Sequence, residues 1–383
     1  MKKVVIFTEQ LYGGGVERIL QIICKHFDYS KYAVTIYTIR RDRSSLSYFP
    51  PNIRFRYVFN SIGDNSSWWN KICCKFENKI KLFFYFHINS SIFYKLFIRE
   101  KTDIAIAFIE GYATKIVSGF PKQVKKMAWL HIELQNFHWS KVAFRNLEDE
   151  RRTYLSFDKI VCVSQIVKYQ IDQLFHVSEK SIVLYNPIDQ SLIKQSALIP
   201  IKENIVDDHD VVRMVTIGTL NERKGQDRLL KIFSKLLKEG YNIELWIIGL
   251  GEKYDELSKY IEDHYLNKKV KLLGYKENPF NYLNKCNLYV CSSFAEGYNT
   301  AITEALVLGK AVVSTECSGV KEQLGEHNEW GICVENSEEG LYEGLKEMLN
   351  PETLDHYTKQ AIIRGRDFTL EKSMNEIYQL IDA

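Results

Sequence analysis

The sequence predicts an α/β protein of two doubly wound, Rossmann-like domains, and three observations carry that prediction. Its 383 residues exceed what one hydrophobic core usually organises, so two domains of roughly 150 to 200 residues are expected. In the second half, short apolar runs alternate with segments of helical periodicity, the pattern of a parallel sheet covered by helices on both faces. The first half repeats the alternation less regularly.

Strands are expected in the second half at 211–217, 243–248, 270–273, 288–292, 311–314 and 331–334. Helical patterns at about 226–238, 252–263, 279–285, 301–308, 319–324 and 337–349 separate them, which makes the half a doubly wound unit. In the first half the strands read as 4–7, 33–38, 104–108, 126–130 and 160–163, with helices after Gly15 and around 148–157. Residues 191–210 contain Pro200 and the polar run Asp207-Asp208-His209-Asp210 and lack either periodicity, which marks a linker. The expected organisation is an N-terminal domain over 1–190, a linker over 191–210, a C-terminal domain over 211–368, and a final helix within 369–383 packing across the junction.

Composition narrows the function classes. A hydrophobic content of 45% belongs to a folded chain. Eight cysteines without CxxC pairs suit a reducing compartment and argue against a zinc or disulfide framework. The opening Met1-Lys2-Lys3-Val4-Val5-Ile6-Phe7-Thr8 imitates a signal peptide, but Glu9 ends its apolar run too early, so it reads as a buried first strand. No apolar stretch reaches about 18 residues, so no membrane-spanning helix is expected. Charge is uneven: residues 1–190 hold 28 Lys+Arg against 17 Asp+Glu, and residues 191–383 hold 23 against 31. A basic half suits an anionic partner, and without a nucleic-acid motif a membrane surface or a phosphate-bearing acceptor ranks above nucleic acid. The expectation is a cytoplasmic protein, peripheral at the inner face of the plasma membrane.

The chemistry concentrates in Ser292-Ser293-Phe294-Ala295-Glu296-Gly297-Tyr298-Asn299-Thr300-Ala301-Ile302-Thr303-Glu304-Ala305, where two carboxylates stand eight positions apart across a strand-to-helix junction. Either carboxylate alone is explained by a helix dipole. The amides of about 297–300 point outward at the helix start and make a site for a phosphate or sugar oxygen. Ahead of it, Gly218-Thr219-Leu220-Asn221-Glu222-Arg223-Lys224-Gly225 follows a strand. Arg223 and Lys224 there could neutralise a diphosphate leaving group, or belong to a solvated turn. Gly13-Gly14-Gly15-Val16-Glu17-Arg18 follows the first strand and opens a helix, bringing bare backbone near a ligand. As a dinucleotide fingerprint it fails, because Arg18 stands where a third glycine belongs and Thr38-Ile39-Arg40-Arg41 offers no acidic ribose partner.

These motifs, spread over most of the chain, resemble those of the retaining glycosyltransferases of family 4, which have the GT-B fold of two Rossmann-like domains facing across a cleft. The resemblance implies that Glu296 approaches the donor sugar and Glu304 binds the ribose hydroxyls, while Gly297, Tyr298, Asn299 and Thr300 face sugar and diphosphate. It implies diphosphate contacts from Gly218, Arg223 and Lys224, with Gly14 and Gly15 closing on the donor from the other domain. The family carries an Arg where this chain has Thr219, and Arg223 is expected to compensate. His131, in Trp129-Leu130-His131-Ile132-Glu133, matches the family's active-site histidine, which orients donor sugar or acceptor. The bland alternative for His131 is a hydrogen-bonded core or rim group. Glu110 ends another strand at the same edge and is expected to bind an acceptor hydroxyl. Gly274 and Tyr275 match the base-contacting loop, a plain turn being the alternative.

The implied reaction moves a hexosyl unit from a nucleoside diphosphate sugar, UDP by family frequency, to an acceptor hydroxyl with retention. The implied acceptor is a lipid-linked saccharide of surface polysaccharide synthesis. No cofactor or metal is expected, because Lys224, Arg223 and the helix N-terminus supply the positive charge. Asp208-His209-Asp210 matches the DxD pattern of metal-dependent glycosyltransferases but falls in the linker. A GT-B sugar-nucleotide epimerase and a non-catalytic donor-binding partner subunit are the remaining readings. Residues 66–101 are rich in aromatic and basic groups, with Ile72, Phe76, Ile80 and Phe83 at helical spacing and Lys71, Lys75 and Lys79 on a neighbouring stripe. Such a helix either lies on an anionic bilayer or packs on its own domain's core.

Overall fold

The computed structural model describes every residue except 12, 41–45, 61–67, 136, 202 and 204–209, and of 70 and 71 only the backbone. Asp208 and His209 of the DxD match, most of the linker's polar run and the side chain of Lys71 therefore lie outside the described residues. The chain divides into two units, Met1–Tyr185 with Met374–Ala383, and Asn186–Ser373.

The first unit holds β1 (Lys2–Thr8), β2 (Tyr32–Arg40), β3 (Arg54–Phe59), β4 (Ile104–Ala107), β5 (Lys125–Leu130), β6 (Lys159–Cys162) and β7 (Ser181–Val183). They form one parallel sheet in the order β3-β2-β1-β4-β5-β6-β7. Its helices are α1 (Gly15–Lys25), α2 (Trp68–His87), α3 (Ser90–Phe93), α4 (Tyr112–Ser118), α5 (Leu147–Leu155) and α6 (Gln165–Phe175).

In the second unit β8 (Val212–Ile217), β9 (Ile243–Ile248), β10 (Val270–Gly274), β11 (Leu288–Cys291), β12 (Ala311–Thr315) and β13 (Ile332–Val334) form a parallel sheet ordered β10-β9-β8-β11-β12-β13. Covering it are α7 (Gln190–Ala197), α8 (Gln226–Lys238), α9 (Tyr254–Asp263), α10 (Phe280–Asn284), α11 (Thr300–Val307), α12 (Val320–Leu324), α13 (Glu338–Met348) and α14 (Pro351–Arg364). Last comes α15 (Leu370–Asp382).

The doubly wound α/β class expected from the alternation is the one that forms. Central strands such as Val4–Phe7 and Leu245–Ile248 are buried on both faces, so they read as continuous apolar runs. Strand β3 escapes that reading because it lies at the sheet edge with Arg54 and Tyr57 exposed, and β7 because it has three residues. One correction concerns 191–210, expected as an irregular linker. Residues 190–197 are helix α7, capped by the Asp189 carboxylate, which accepts from the Leu192 amide at 2.9 Å. Ile193 and Ala197, one turn apart, pack with Ile188, Phe280 and Val307 of the second unit. Two apolar positions are too few to declare a period, and Pro200 and the polar run draw attention past them.

Helix α15 begins in the second unit's sequence and ends in the first unit. Its buried Met374, Ile377, Leu380 and Ile381 form one stripe, Tyr378 stacks on Tyr32, and Asp382 pairs with Lys2 at 2.9 Å. In each sheet the strand order reverses once, between β1 and β4 and between β8 and β11. Loops leaving the carboxyl ends of those strands diverge to opposite faces and open a crevice there.

Candidate functional site

In the second unit the crevice is bounded by the loop after β8, residues 218–225, and the loop after β11, residues 292–299. The two are knitted together through their backbones. Phe294 donates its amide to the Arg223 carbonyl at 2.7 Å, and the Ser292 hydroxyl donates to the Lys224 carbonyl at 3.0 Å. Gly225 makes the approach possible: its φ is +61°, and a Cβ there would lie 2.3 Å from the Ser292 carbonyl oxygen.

Glu296 is the centre of this joint. Lys224 donates to its Oε1 at 2.6 Å, Arg223 to its Oε2 at 2.9 Å, and the Ser293 hydroxyl to Oε1 at 2.6 Å. The Arg223 guanidinium also donates to the Ala295 carbonyl at 2.6 Å. Burial alone would raise the Glu296 carboxyl. The charges of Lys224 and Arg223, with hydrogen bonds from Lys224 and Ser293, outweigh it and hold Glu296 well below the ordinary carboxylate value. Lys224 lies along Gly218, where a Cβ would come within 3.3 Å of its stem. Two cations, the carboxylate they share and the start of α11 thus meet in one crevice.

Arg228 braces this loop, and sequence reasoning overlooked it. Only 1% exposed, it donates to the carbonyls of Ser292 and Ser293, both at 2.8 Å, and to Asn336 Oδ1 at 2.8 Å, and its guanidinium stacks 3.8 Å from the Phe294 ring. Asn336 returns its amide to the Phe294 carbonyl at 2.9 Å. In sequence Arg228 is one charge among the polar residues opening a helix, and nothing there shows that it points inward.

Helix α11 begins at Thr300 behind the cap Asn299, whose side chain accepts from the Ala301 amide at 3.0 Å. Gln323 fixes this turn from α12, donating to the Asn299 carbonyl at 2.8 Å and to Thr303 Oγ1 at 2.7 Å. Glu304, fifth in the helix and 5% exposed, stands one turn beyond the cap, and Tyr298 is 7% exposed. Gly319, at φ +81°, leaves room for Gly297 and Tyr298, since a Cβ there would meet them at about 3 Å. Gly274 ends β10 at φ +67°, and its carbonyl accepts from the Gly249 amide at 2.9 Å. Tyr275 beside it is 45% exposed, while Thr219, where the family resemblance expects Arg, is exposed and its carbonyl accepts from the Gln226 side chain at 3.2 Å.

The first unit brings together a second set at the ends of β4 and β5. Glu110 is 1% exposed, and its Oε1 accepts from the amides of His131 at 2.7 Å and Ile132 at 2.8 Å. Burial raises its carboxyl to about 7, against the lowering effect of those amides. Through these two amides the buried Glu110 positions the turn that carries His131. The His131 ring packs on Phe108, and one nitrogen donates to the Phe108 carbonyl. Its Nε2 is buried without a hydrogen-bond partner, and burial lowers the imidazole to about 3. His131 is thus neutral and presents a lone pair at Nε2.

The glycine loop is already in use. Glu17, 5% exposed, turns back on the start of α1 and takes hydrogen bonds from the backbone of Gly14 and from its own amide. A Cβ on Gly14 would lie 2.5 Å from its carboxylate oxygen. A carboxylate at those amides leaves Gly14 and Gly15 suited to hydroxyls more than to a phosphate. Among the described residues no three His, Cys, Asp or Glu side chains cluster to hold a metal ion.

Residues 200–364 match the family of glycosyl transferases group 1. Over 202 residues the chain is 33% identical to the N-acetylgalactosamine-N,N'-diacetylbacillosaminyl-diphospho-undecaprenol 4-alpha-N-acetylgalactosaminyltransferase of Campylobacter jejuni, covering 51% of this chain. The chain spans about half the length of that relative, 52%. Among solved structures, Anabaena Alr3699/HepE in complex with UDP-glucose superposes with a TM-score of 0.76 at 17% identity over 100% of both chains. A glycosyltransferase from Rickettsia africae does so with a TM-score of 0.70 at 15% identity, over 99% of this chain and 97% of that one. Residues 200–364 thus match the model of glycosyl transferases group 1, in a chain whose two parallel Rossmann-like sheets have the fold of GT-B glycosyltransferase structures.

Proposed function

We propose that the protein is a retaining glycosyltransferase of family 4 type that moves a hexosyl unit from a UDP-sugar to a hydroxyl of a lipid-linked saccharide. The observation that carries this is the pairing of Lys224 and Arg223 with Glu296 at the strand-order reversal of the second unit. Two cations held by a carboxylate beside a helix start are ready to exchange that carboxylate for a diphosphate. The relatives suggest the substrates: one solved neighbour is in complex with UDP-glucose, and the Campylobacter relative is named for a diphospho-undecaprenol acceptor.

In this reading the diphosphate takes Lys224 and Arg223, and the Glu296 carboxylate turns to the sugar hydroxyls. Glu304 binds the ribose, the loop amides of 297–300 face the diphosphate, and Gly274 with Tyr275 lie against the base. The bond between the anomeric carbon and the diphosphate breaks while the acceptor oxygen bonds to that carbon on the same face. The acceptor proton passes to the departing phosphate oxygen. Negative charge grows on UDP, where Lys224, Arg223 and the α11 dipole stabilise it, so no metal is required. The Nε2 lone pair of His131 accepts a hydrogen bond from a sugar or acceptor hydroxyl, and Gly14 and Gly15 close on the sugar.

Calorimetry tests the site: Lys224→Ala and Glu304→Ala each weaken UDP binding while the fold survives, and unchanged affinity in both would overturn the assignment. Incubating the purified chain with nucleotide-sugars and lipid-linked acceptors tests the reaction. Glycosylated acceptor supports it, donor conversion without acceptor identifies an epimerase, and binding without turnover identifies a partner subunit.

A further inference from the structure

Helix α2 is inside out. Its residues Cys74, Asn78, Lys81 and Tyr85, spaced four, three and four apart, share one face. That face hydrogen-bonds to the rest of the first unit, and off it Phe84 packs on Phe97 and Phe86 lies 5.6 Å from Lys115. Asn78 donates to the Asn60 carbonyl at 2.7 Å, Lys81 to the Val58 carbonyl at 3.0 Å, and the buried Tyr85 donates its hydroxyl to the Ala143 carbonyl at 3.0 Å. At about 100° per residue, the opposite face carries Trp69, Ile72, Phe76, Ile80 and Phe83, with Trp68 at its margin. Trp68, Trp69 and Phe76 are each about two-thirds exposed, Phe83 is 56% exposed, and Ile72 and Ile80 nearly 40%. A helix stabilised only by its own core would be arranged the other way, with the apolar stripe inward.

The stripe's border is charged. Lys75 and Lys79 lie along one side, both exposed, while Glu77, the helix's single acid, is tied to Lys81 at 2.6 Å. The surrounding half of the chain carries 28 basic against 17 acidic residues. We infer that α2 lies in the headgroup region of an anionic bilayer, with its aromatic stripe among the acyl chains and Lys75 and Lys79 at the lipid phosphates. Tryptophan favours that boundary, because its ring is apolar and its N–H polar. The inference stands on the two faces of α2 and goes beyond the transferase reading. It also explains how an enzyme would meet an acceptor whose lipid stays in the membrane. Among the described residues no helix is long and apolar enough to cross one.

The test is sedimentation of the purified full chain with vesicles of phosphatidylglycerol and phosphatidylethanolamine, against phosphatidylcholine alone, at low and high salt. The wild type sediments with anionic vesicles, and its tryptophan emission shifts to the blue, a shift lost in Trp68→Phe/Trp69→Phe. Replacing Lys75 or Lys79 by Gln weakens binding about fivefold each. The double variant Phe76→Asp/Phe83→Asp abolishes binding while its calorimetric affinity for UDP stays that of the wild type. This separates loss of the surface from failure of the transferase reading. Trp68→Ser is the milder variant should the double one fail to fold. A wild type that ignores anionic vesicles, Asp variants that bind undiminished, or a dimer that those variants make monomeric would each overturn the inference.

Discussion

Replacing Glu296 by Gln isolates what the carboxylate does before donor arrives. The side chain is 8% exposed and holds Lys224 and Arg223, themselves 16% and 20% exposed, at 2.6 and 2.9 Å. Removing one partner of a fully buried pair costs about 3–5 kcal/mol. Here the cations keep some water, and the Gln oxygen retains one neutral bond, so the expected loss is about 2–3 kcal/mol. In a unit of this size that lowers the unfolding midpoint by roughly 4–12 °C. Because the folded carboxyl is depressed, its stabilisation is present above the unfolded value near 4.5 and is lost as pH falls below it; the Gln variant lacks that acid-side slope. With UDP the sign reverses, since the diphosphate no longer has to displace a carboxylate. Affinity should rise about tenfold, or ~1.4 kcal/mol, and saturating UDP should narrow the gap in midpoint. Differential scanning fluorimetry and calorimetry read both effects. An unchanged midpoint, or UDP binding weakened as in Lys224→Ala, would refute the reasoning.

Other parts of the architecture give sharper single measurements. Arg228→Lys loses the planar fork that bridges Ser292, Ser293 and Asn336, and should cost about 2–4 kcal/mol by chemical denaturation with a raised KM for donor; a loss under 1 kcal/mol would show that the loop holds itself. Glu110 is raised to about 7, so its contribution is complete below the unfolded value near 4.5 and is lost as pH rises through 7. Glu110→Gln should therefore flatten the decline in stability between pH 5 and 8, by up to ~3 kcal/mol, and parallel pH profiles for both proteins would refute this. The His131 imidazole should stay neutral in an NMR titration down to about pH 4, identified by its absence in His131→Asn; titration near the ordinary value of about 6.5 would contradict its burial.

The second unit was legible in sequence because its central strands are buried on both faces and helices such as α8 keep one apolar stripe, so period and punctuation coincide. The first unit was less so. Edge strand β3 exposes Arg54 and Tyr57, and α2 turns its apolar residues outward, each breaking the link between period and burial. Helix α7 escaped because its burial rests on Ile193 and Ala197 alone.

The sequence by itself determined the α/β class, the alternation of strands with crossovers, and the motifs around Glu296, Lys224 and His131, because these depend on residue types at short, fixed spacing. The tertiary structure alone decided the partnerships. That Glu296 holds two cations 72 and 73 positions away, that Arg228 faces inward and that Glu110 serves the His131 turn follow from strand order, while α2 shows its apolar side to solvent because its polar face packs on Val58, Asn60 and Ala143. Strand order brings β8 beside β11 and β4 beside β5, and no local pattern encodes which distant loops will share a crevice.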